Sequence, residues 1–211
     1  MTTTELLAIF RSEVADEQAP YLWADALIYS YIDDAQKQFC RLTYGIPDAR
    51  AFTISLVAAT EWYALDAEIM EILGAFDSMG RSIPVMTRNE NLARNVVFDG
   101  RTGFPQAFFK GMEKGFLRAY PIPIASGTVS LETRRLPATV SSGSSFEIDA
   151  QYQLGLVAWV KHKAYSKQDS ETADPNLAKR YEDEFNAYCQ RSKTEIGRLN
   201  RKVAVVKFRM P

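Results

Sequence analysis

The chain has 211 residues, 46% of them apolar and 12% aromatic, which suits one or two domains with a real core and excludes a disordered body. The formal net charge of −1 hides an asymmetry: residues 191–211 hold seven Lys/Arg and one acid, about +6, and leave about −7 on residues 1–190. An acidic body is ill suited to binding nucleic acid by counterion release, and a basic end on such a body is the arrangement of a tail with its own partner.

Residues 1–47 read as the N-terminal helices of a bundle. "TELLAIFRSEVAD" is a short amphipathic piece, and Pro20 marks a break after it. "YLWADALIYSYIDDAQKQFCRLT" is a long helix with Asp25 expected as N-cap. Leu27, Ile28, Tyr31, Ile32, Ala35, Phe39 and Leu42 recur along it at helical spacing, and Gly45 and Pro47 end it. The N-terminus lacks a basic start followed by an apolar block, and no run of about 20 apolar residues occurs, so a cytoplasm-like setting is expected, with no membrane partner.

Residues 48–146 change character and form a β-rich insert. "AFTISLV" and "IMEILGAF" predict strands, and "DSMGR" a hairpin turn leading to "SIPVM". "FPQAFFKGMEKGFLRAYPIP" predicts a second hairpin with Gly111 and Gly115 in its loop, stopped by Pro121 and Pro123 because neither can donate to a ladder. "GTVSLETRRLP" is a further strand and "ATVSSGSS" a loop. Five to seven short antiparallel strands suggest a small sandwich or open barrel.

Residues 147–200 return to helix. "FEIDAQYQLGLVAWVKHKAYSKQ" is apolar nearly all round at Leu154, Leu156, Val157, Trp159 and Val160, which predicts a helix at the centre of the bundle. In the next helix Asp174 is a fitting N-cap and Pro175 suits the first position. Leu177, Tyr181, Phe185 and Tyr188 form its inward stripe, which weakens at Arg191, Ser192 and Lys193. The fold class is thus α+β: a bundle of N- and C-terminal helices around an inserted antiparallel β region. Cys40 and Cys189 both fall on apolar stripes and read as reduced core thiols, with a disulfide as the alternative.

Catalytic signals are nearly absent. The single histidine, His162, lies between two lysines and is expected on the outer side of its helix. No Cys-x-x-Cys or paired histidines favour a metal, "GRTGFP" lacks the Lys-Ser/Thr of a phosphate loop, and "GSS" at 143–145 is not a nucleophile elbow. The acidic groups Asp33-Asp34 and Glu182-Asp183-Glu184 read as solvated helix faces; a carboxylate enzyme using Asp33, Asp34, Glu182 or Glu184 is the weaker alternative. No cofactor is implied.

The end of the chain carries the functional signal. "RLNRKVAVVKFRMP" holds five bases in fourteen residues (Arg198, Arg201, Lys202, Lys207 and Arg209) and no acid. Residues 201–211 read as an extended tail: Ala204, Val206, Phe208 and Met210 alternate with Val203, Val205, Lys207 and Arg209. β-branched residues disfavour a membrane-surface helix, and only Phe208 suits stacking on a base. A protein surface fits best, with Val206 and Phe208 in pockets and the bases meeting acids.

Four stretches resemble the head–tail adaptor (connector or neck) proteins of tailed bacteriophages. They are "WADALIYSYIDDAQKQFCRLT" with Ile32 and Ala35-Gln36; "WYALDAEIMEI"; "FLRAYPIPIASGTVSL"; and the closing segment with Tyr152, Leu156, Ala164-Tyr165, Asp169, Glu171, Asp174 and Phe185. The resemblance spans roughly residues 5–190 and has no counterpart for the tail. It implies a non-enzymatic virion protein of the neck, assembled in the host cytoplasm. Copies would form a ring of about a dozen, docked on the portal protein, continuing the DNA channel without specific DNA binding and offering a platform to a tail or nozzle protein. It also implies that the C-terminal end grips the portal through Arg198, Arg201, Lys202, Val206, Lys207, Phe208 and Arg209. The rival reading is a nucleic-acid-binding protein with a basic C-terminal arm.

Overall fold

The computed structural model describes residues 1–93, 98–167 and 173–199, and the chain divides into two compact units. One is helical and is assembled from both ends of the sequence, Met1–Tyr44 and Ala138–Pro211; the other is the β-rich Gly45–Pro137.

In the helical unit, α1 (Thr3–Glu13) starts with a capping box in which the Thr2 hydroxyl accepts from the Glu5 amide and Glu5 accepts from the Thr2 amide. Its buried Leu6 and Phe10 face the bundle. The loop to α2 (Asp25–Leu42) is held by the buried side chain of Arg11. Arg11 donates to Asp16 at 2.5 Å, to the Trp23 carbonyl at 2.9 Å and to Asp25. Asp16 in turn accepts from the Leu22 amide. Asp25 is therefore not the N-cap; Ala24 takes that place without a side-chain bond, and Asp25 stands in the first turn, engaged by Arg11. Ile28, Ile32, Ala35 and Phe39 are buried as expected, joined by Gln36 and Cys40.

The predicted continuous helix after residue 147 is two pieces, α4 (Ala150–Gln153) and α5 (Leu156–Ser166). The break at Leu154–Gly155 turns Leu154 outward, 59% exposed, which corrects its assignment to the core. Gly155 has a packing reason: a Cβ there would lie 2.1 Å from a ring carbon of Tyr188. The last helix, α6 (Pro175–Leu199), begins as expected, with Asp174 accepting from the Asn176 and Leu177 amides. Its buried stripe is Ala178, Phe185, Cys189 and Ser192. Ser192 is only 2% exposed, so the core contact does not fade at residues 191–193. One turn later Gly197 lies close to Tyr44, whose ring also sits 5.5 Å from Lys193. A Cβ at Gly197 would meet the Tyr44 hydroxyl at 3.4 Å, an ordinary contact.

The β unit has eleven short strands among the described residues: β1 (Ile46–Asp48), β2 (Thr53–Leu56), β3 (Trp62–Ala64), β4 (Ile69–Asp77), β5 (Ser82–Ile83), β6 (Val85–Thr87), β7 (Thr102–Gly103), β8 (Ala107–Lys110), β9 (Phe116–Tyr120), β10 (Ile122–Pro123) and β11 (Gly127–Arg135). A short α3 (Arg88–Ala93) follows β6. β11 is central in a five-stranded sheet, flanked by β4 and then β5 on one side and by β1 and β2 on the other. A second sheet runs β3-β9-β8-β6. The two contribute to one core: Ile54, Leu56, Ile72, Ala75, Val129 and Leu131 from the first meet Tyr63, Phe108, Leu117 and Ala119 from the second.

Both predicted hairpins form, β4–β5 and β8–β9. Most pairings are antiparallel, but β6 with β8 and β7 with β10 are parallel. The second of these places Pro123 inside a two-residue strand, where the sequence predicted only a stop. β8 is buried on both faces, because Phe109 packs with Met86, Ala107 and Phe98 on the side away from Phe108. β1 is locked to β11 by Asp48, whose carboxyl is held at about 2 by the Arg50 and Ala51 amides and by Arg135.

Two expectations follow. Gly155→Ala forces a methyl against the Tyr188 ring and should destabilise the helical unit by about 1–3 kcal/mol, read as a lower Tm. An unchanged Tm would mean Tyr188 does not pack there. Cys40 and Cys189 are both buried thiols outside any disulfide, and the Cys189 thiol is pushed up to about 12 by burial and then by Cys40. A disulfide-exchange dye at pH 8 should therefore label neither until denaturant is added, when both react. Rapid labelling of the native chain would contradict this packing.

Candidate interaction site

The acidic pairs have structural partners. Asp33 accepts from the Val140 amide at 3.0 Å, from Gln36 at 3.2 Å and from Lys37 at 2.6 Å. Asp34 accepts from the Trp159 indole at 2.9 Å and lies 3.5 Å from Lys163. These residues are not a solvated face: they tie α2 to the segment 138–140 and to α5. Glu182 does follow the expectation, pairing on the helix surface with Lys179, which also meets Asp183. His162 is not on the outer side of α5. Its Nδ1 is 2.9 Å from the Ala178 carbonyl of α6, and its ring is 4.8 Å from that of Trp159. Among the described residues no group of three or more His, Cys, Asp or Glu is placed to hold a metal ion, and no helix is long and apolar enough to cross a membrane.

Of the predicted interaction residues, Arg198 stands exposed in the last turn of α6, beside Leu199, which is 79% exposed. Arg201, Lys202, Val206, Lys207, Phe208 and Arg209 lie outside the described residues. What can be described is their base. Phe39 and Tyr152 pack at 5.6 Å, Phe39 and Tyr188 at 6.4 Å, and with Cys40, Cys189 and Ser192 they clamp the second half of α6 against α2. The 25-residue α6, packed along its length, ends at Leu199, where the basic segment of the sequence begins.

Charge is partitioned between the units. Residues 45–137 hold ten acids and ten Lys/Arg, so the whole excess of about −7 in residues 1–190 belongs to the helical unit. The basic end grows from the acidic unit and not from the neutral one.

Sequence reasoning missed an apolar surface at one end of the β unit. A cavity of about 650 Å³ is lined by Leu56, Ile83 and Val129, with Met79, Phe104 and Ile124 also on its wall. Met79 is 78% exposed and Phe104 75%. The signal was present in "DSMGR" and "GRTGFP", where a turn tip carries a bulky apolar residue in place of a polar one.

No curated protein matches the chain. The family model described as SU10 adaptor protein matches it over residues 1–205, which takes in both units and the start of the basic tail. An α+β chain, with a helical unit assembled from both ends of the sequence, a β unit inserted between them in sequence and a basic C-terminal end, is thereby placed: it belongs to the SU10 adaptor protein family, a phage head–tail adaptor family, and is a structural component of the bacteriophage virion.

Proposed function

We propose that the protein is the neck adaptor that joins a filled head to its tail. About a dozen copies form a ring on the portal, continue the DNA channel and offer their far side to a tail or nozzle protein. The observation that supports this reading, beyond family membership, is that a basic, apolar-interleaved sequence follows directly on the exposed last turn of α6. Arg198, Arg201, Lys202, Lys207 and Arg209 supply charge to the portal contact, and Val206 and Phe208 supply its apolar anchors. A weak contact of this kind gains avidity when repeated around a ring. The acidic excess of the helical unit suits a wall past which DNA slides, since like charge avoids trapping phosphates. The role is non-enzymatic, and assembly takes place in the host cytoplasm.

Because Ser192 and Gly197 are packed, the clean truncation removes only residues 200–211. The shortened chain should keep the Tm of the full chain and lose co-sedimentation with filled heads. Equal attachment would show that the tail is not the grip, and tail-dependent binding to duplex DNA in its place would favour the basic-arm reading. Reversing Arg198, Arg201 and Lys202 to Glu should weaken docking on the order of tenfold at low salt and less at high salt. An unchanged affinity at low salt would remove charge from the contact.

A further inference from the structure

The β unit bears two apolar surfaces, one at each end of β4. At the Asp77 end is the cavity already described, with Met79 and Phe104 on its wall and largely exposed. At the Ile69 end is a second cavity of about 620 Å³, lined by Leu65, Ile69, Met70 and Ile72, with Arg88 and Lys110 also on its wall. Met70 is 39% exposed. β4 pairs with β11 from Ile69 to Asp77, so the ladder fixes the separation of the two surfaces. From Met70 to Asp77 it is about 23 Å, at about 3.3 Å per residue.

Charges near both surfaces are engaged within the unit. Asp77 pairs with Arg81 at 2.7 Å, Glu71 lies 3.8 Å from Arg134, and the Lys110 ammonium donates to the Ile72 carbonyl at 3.0 Å. Arg88 is exposed, and its long side chain can keep the guanidinium in water. Covering either surface therefore removes apolar area from water without stranding a charge.

We propose that these surfaces are the two halves of a contact between copies of this chain. Met79 and Phe104 of one copy seat in the cavity of Leu65, Ile69 and Met70 of the next. This rests on the reading of the protein as a ring-forming adaptor, and it names the surfaces through which the ring is made. Two different patches on one unit give a head-to-tail contact, which repeats and closes into a ring; a patch that met its own kind would stop at a dimer. The side chains suit the task, since methionine adapts to an irregular cavity and an aromatic ring anchors an interface core.

Charge selects both the unit and its occupant. Outside the basic end, the helical unit carries about −7 in every copy, so neighbours repel through it. The β unit, with ten acids and ten Lys/Arg, carries no such penalty. A balanced surface also has nothing to draw in phosphates or the basic C-terminal segment, whereas the β unit of another copy meets it at no electrostatic cost.

The test is disulfide trapping in the full-length chain. Cys40 and Cys189 are buried, so cysteines placed on the surface react in their stead. Met79→Cys in one chain and Met70→Cys in another are mixed in equal amounts, free in solution and with filled heads, and treated briefly with copper-phenanthroline. Dimers are read on a non-reducing gel. In at least one setting the mixture should give about tenfold more dimer than either variant alone, or than Met79→Cys mixed with Leu22→Cys, an exposed site of the helical unit. A chain carrying both Met79→Cys and Met70→Cys should give a ladder of higher multimers. Equal yields in all samples overturn the proposal. So does a yield from Met79→Cys alone that matches the mixture, which would mean that this surface meets its own kind. Attachment to heads without trapping in either setting removes the contact and leaves the adaptor reading. Trapping in solution by chains that, like wild type, never attach to heads does the reverse.

Discussion

An inserted unit works only if the chain is fixed where it leaves and where it returns, and here the return is the critical constraint. α2 supplies the fixing groups. Asp33 takes the Val140 amide, Gln36 donates to the Ala138 carbonyl at 2.8 Å, and Lys37 donates to Thr139 at 2.8 Å. α1 continues the work. The Thr3 amide donates to the Ser144 carbonyl, the Thr3 hydroxyl to the Ser141 carbonyl, and Thr2 bridges Ser145. The segment 138–145 has few apolar side chains and cannot hold itself by burial; backbone and side-chain hydrogen bonds do that in its place. Once it is fixed, Phe146, Ile148 and Tyr152 enter the core and α4, α5 and α6 can follow.

The same bonds explain what was and was not legible in the sequence. Helices with a strong 3.6 period and a Pro or Gly boundary, such as α1, α2 and α6, could be read directly, as could hairpins with glycine turns. Asp33 could not. An acid followed by another acid in mid-helix looks the same whether it meets water or an amide more than a hundred residues away. His162, too, reads as polar surface from its lysine neighbours and lies against α6 all the same. The break before α5 was hidden because "LGL" fits a helix in propensity, and only the Tyr188 ring, brought from a distant segment, shows why a glycine is required. The parallel pairings were likewise beyond a local reading, since register between strands far apart leaves no trace in either.

Of the candidate site, the sequence supplies an expectation and the described residues supply only the helix that leads to it. Composition located the basic end, and alternation predicts an extended chain there. What alternation could not supply was the platform, which depends on Phe39, Tyr44, Tyr152 and Tyr188 converging from three segments. Nor could summed composition show that all the acidic excess sits in the helical unit while the β unit is balanced.

The pairing of β1 with β11 has a consequence for how such a chain can change. Ile46 faces Arg135 and Asp48 faces Thr133, so the first and last strands of the β unit are neighbours in one ladder. Paired residues of this kind are about 5 Å apart, so the two ends of the unit lie side by side. A unit with adjoining ends is a cassette. It can be exchanged, enlarged or reduced to a short turn while the helical unit closes over the same gap, with little added loop-closure entropy. The two halves of the molecule are therefore free to diverge at different rates, one bound by its helices and its return strand, the other answerable to its own core.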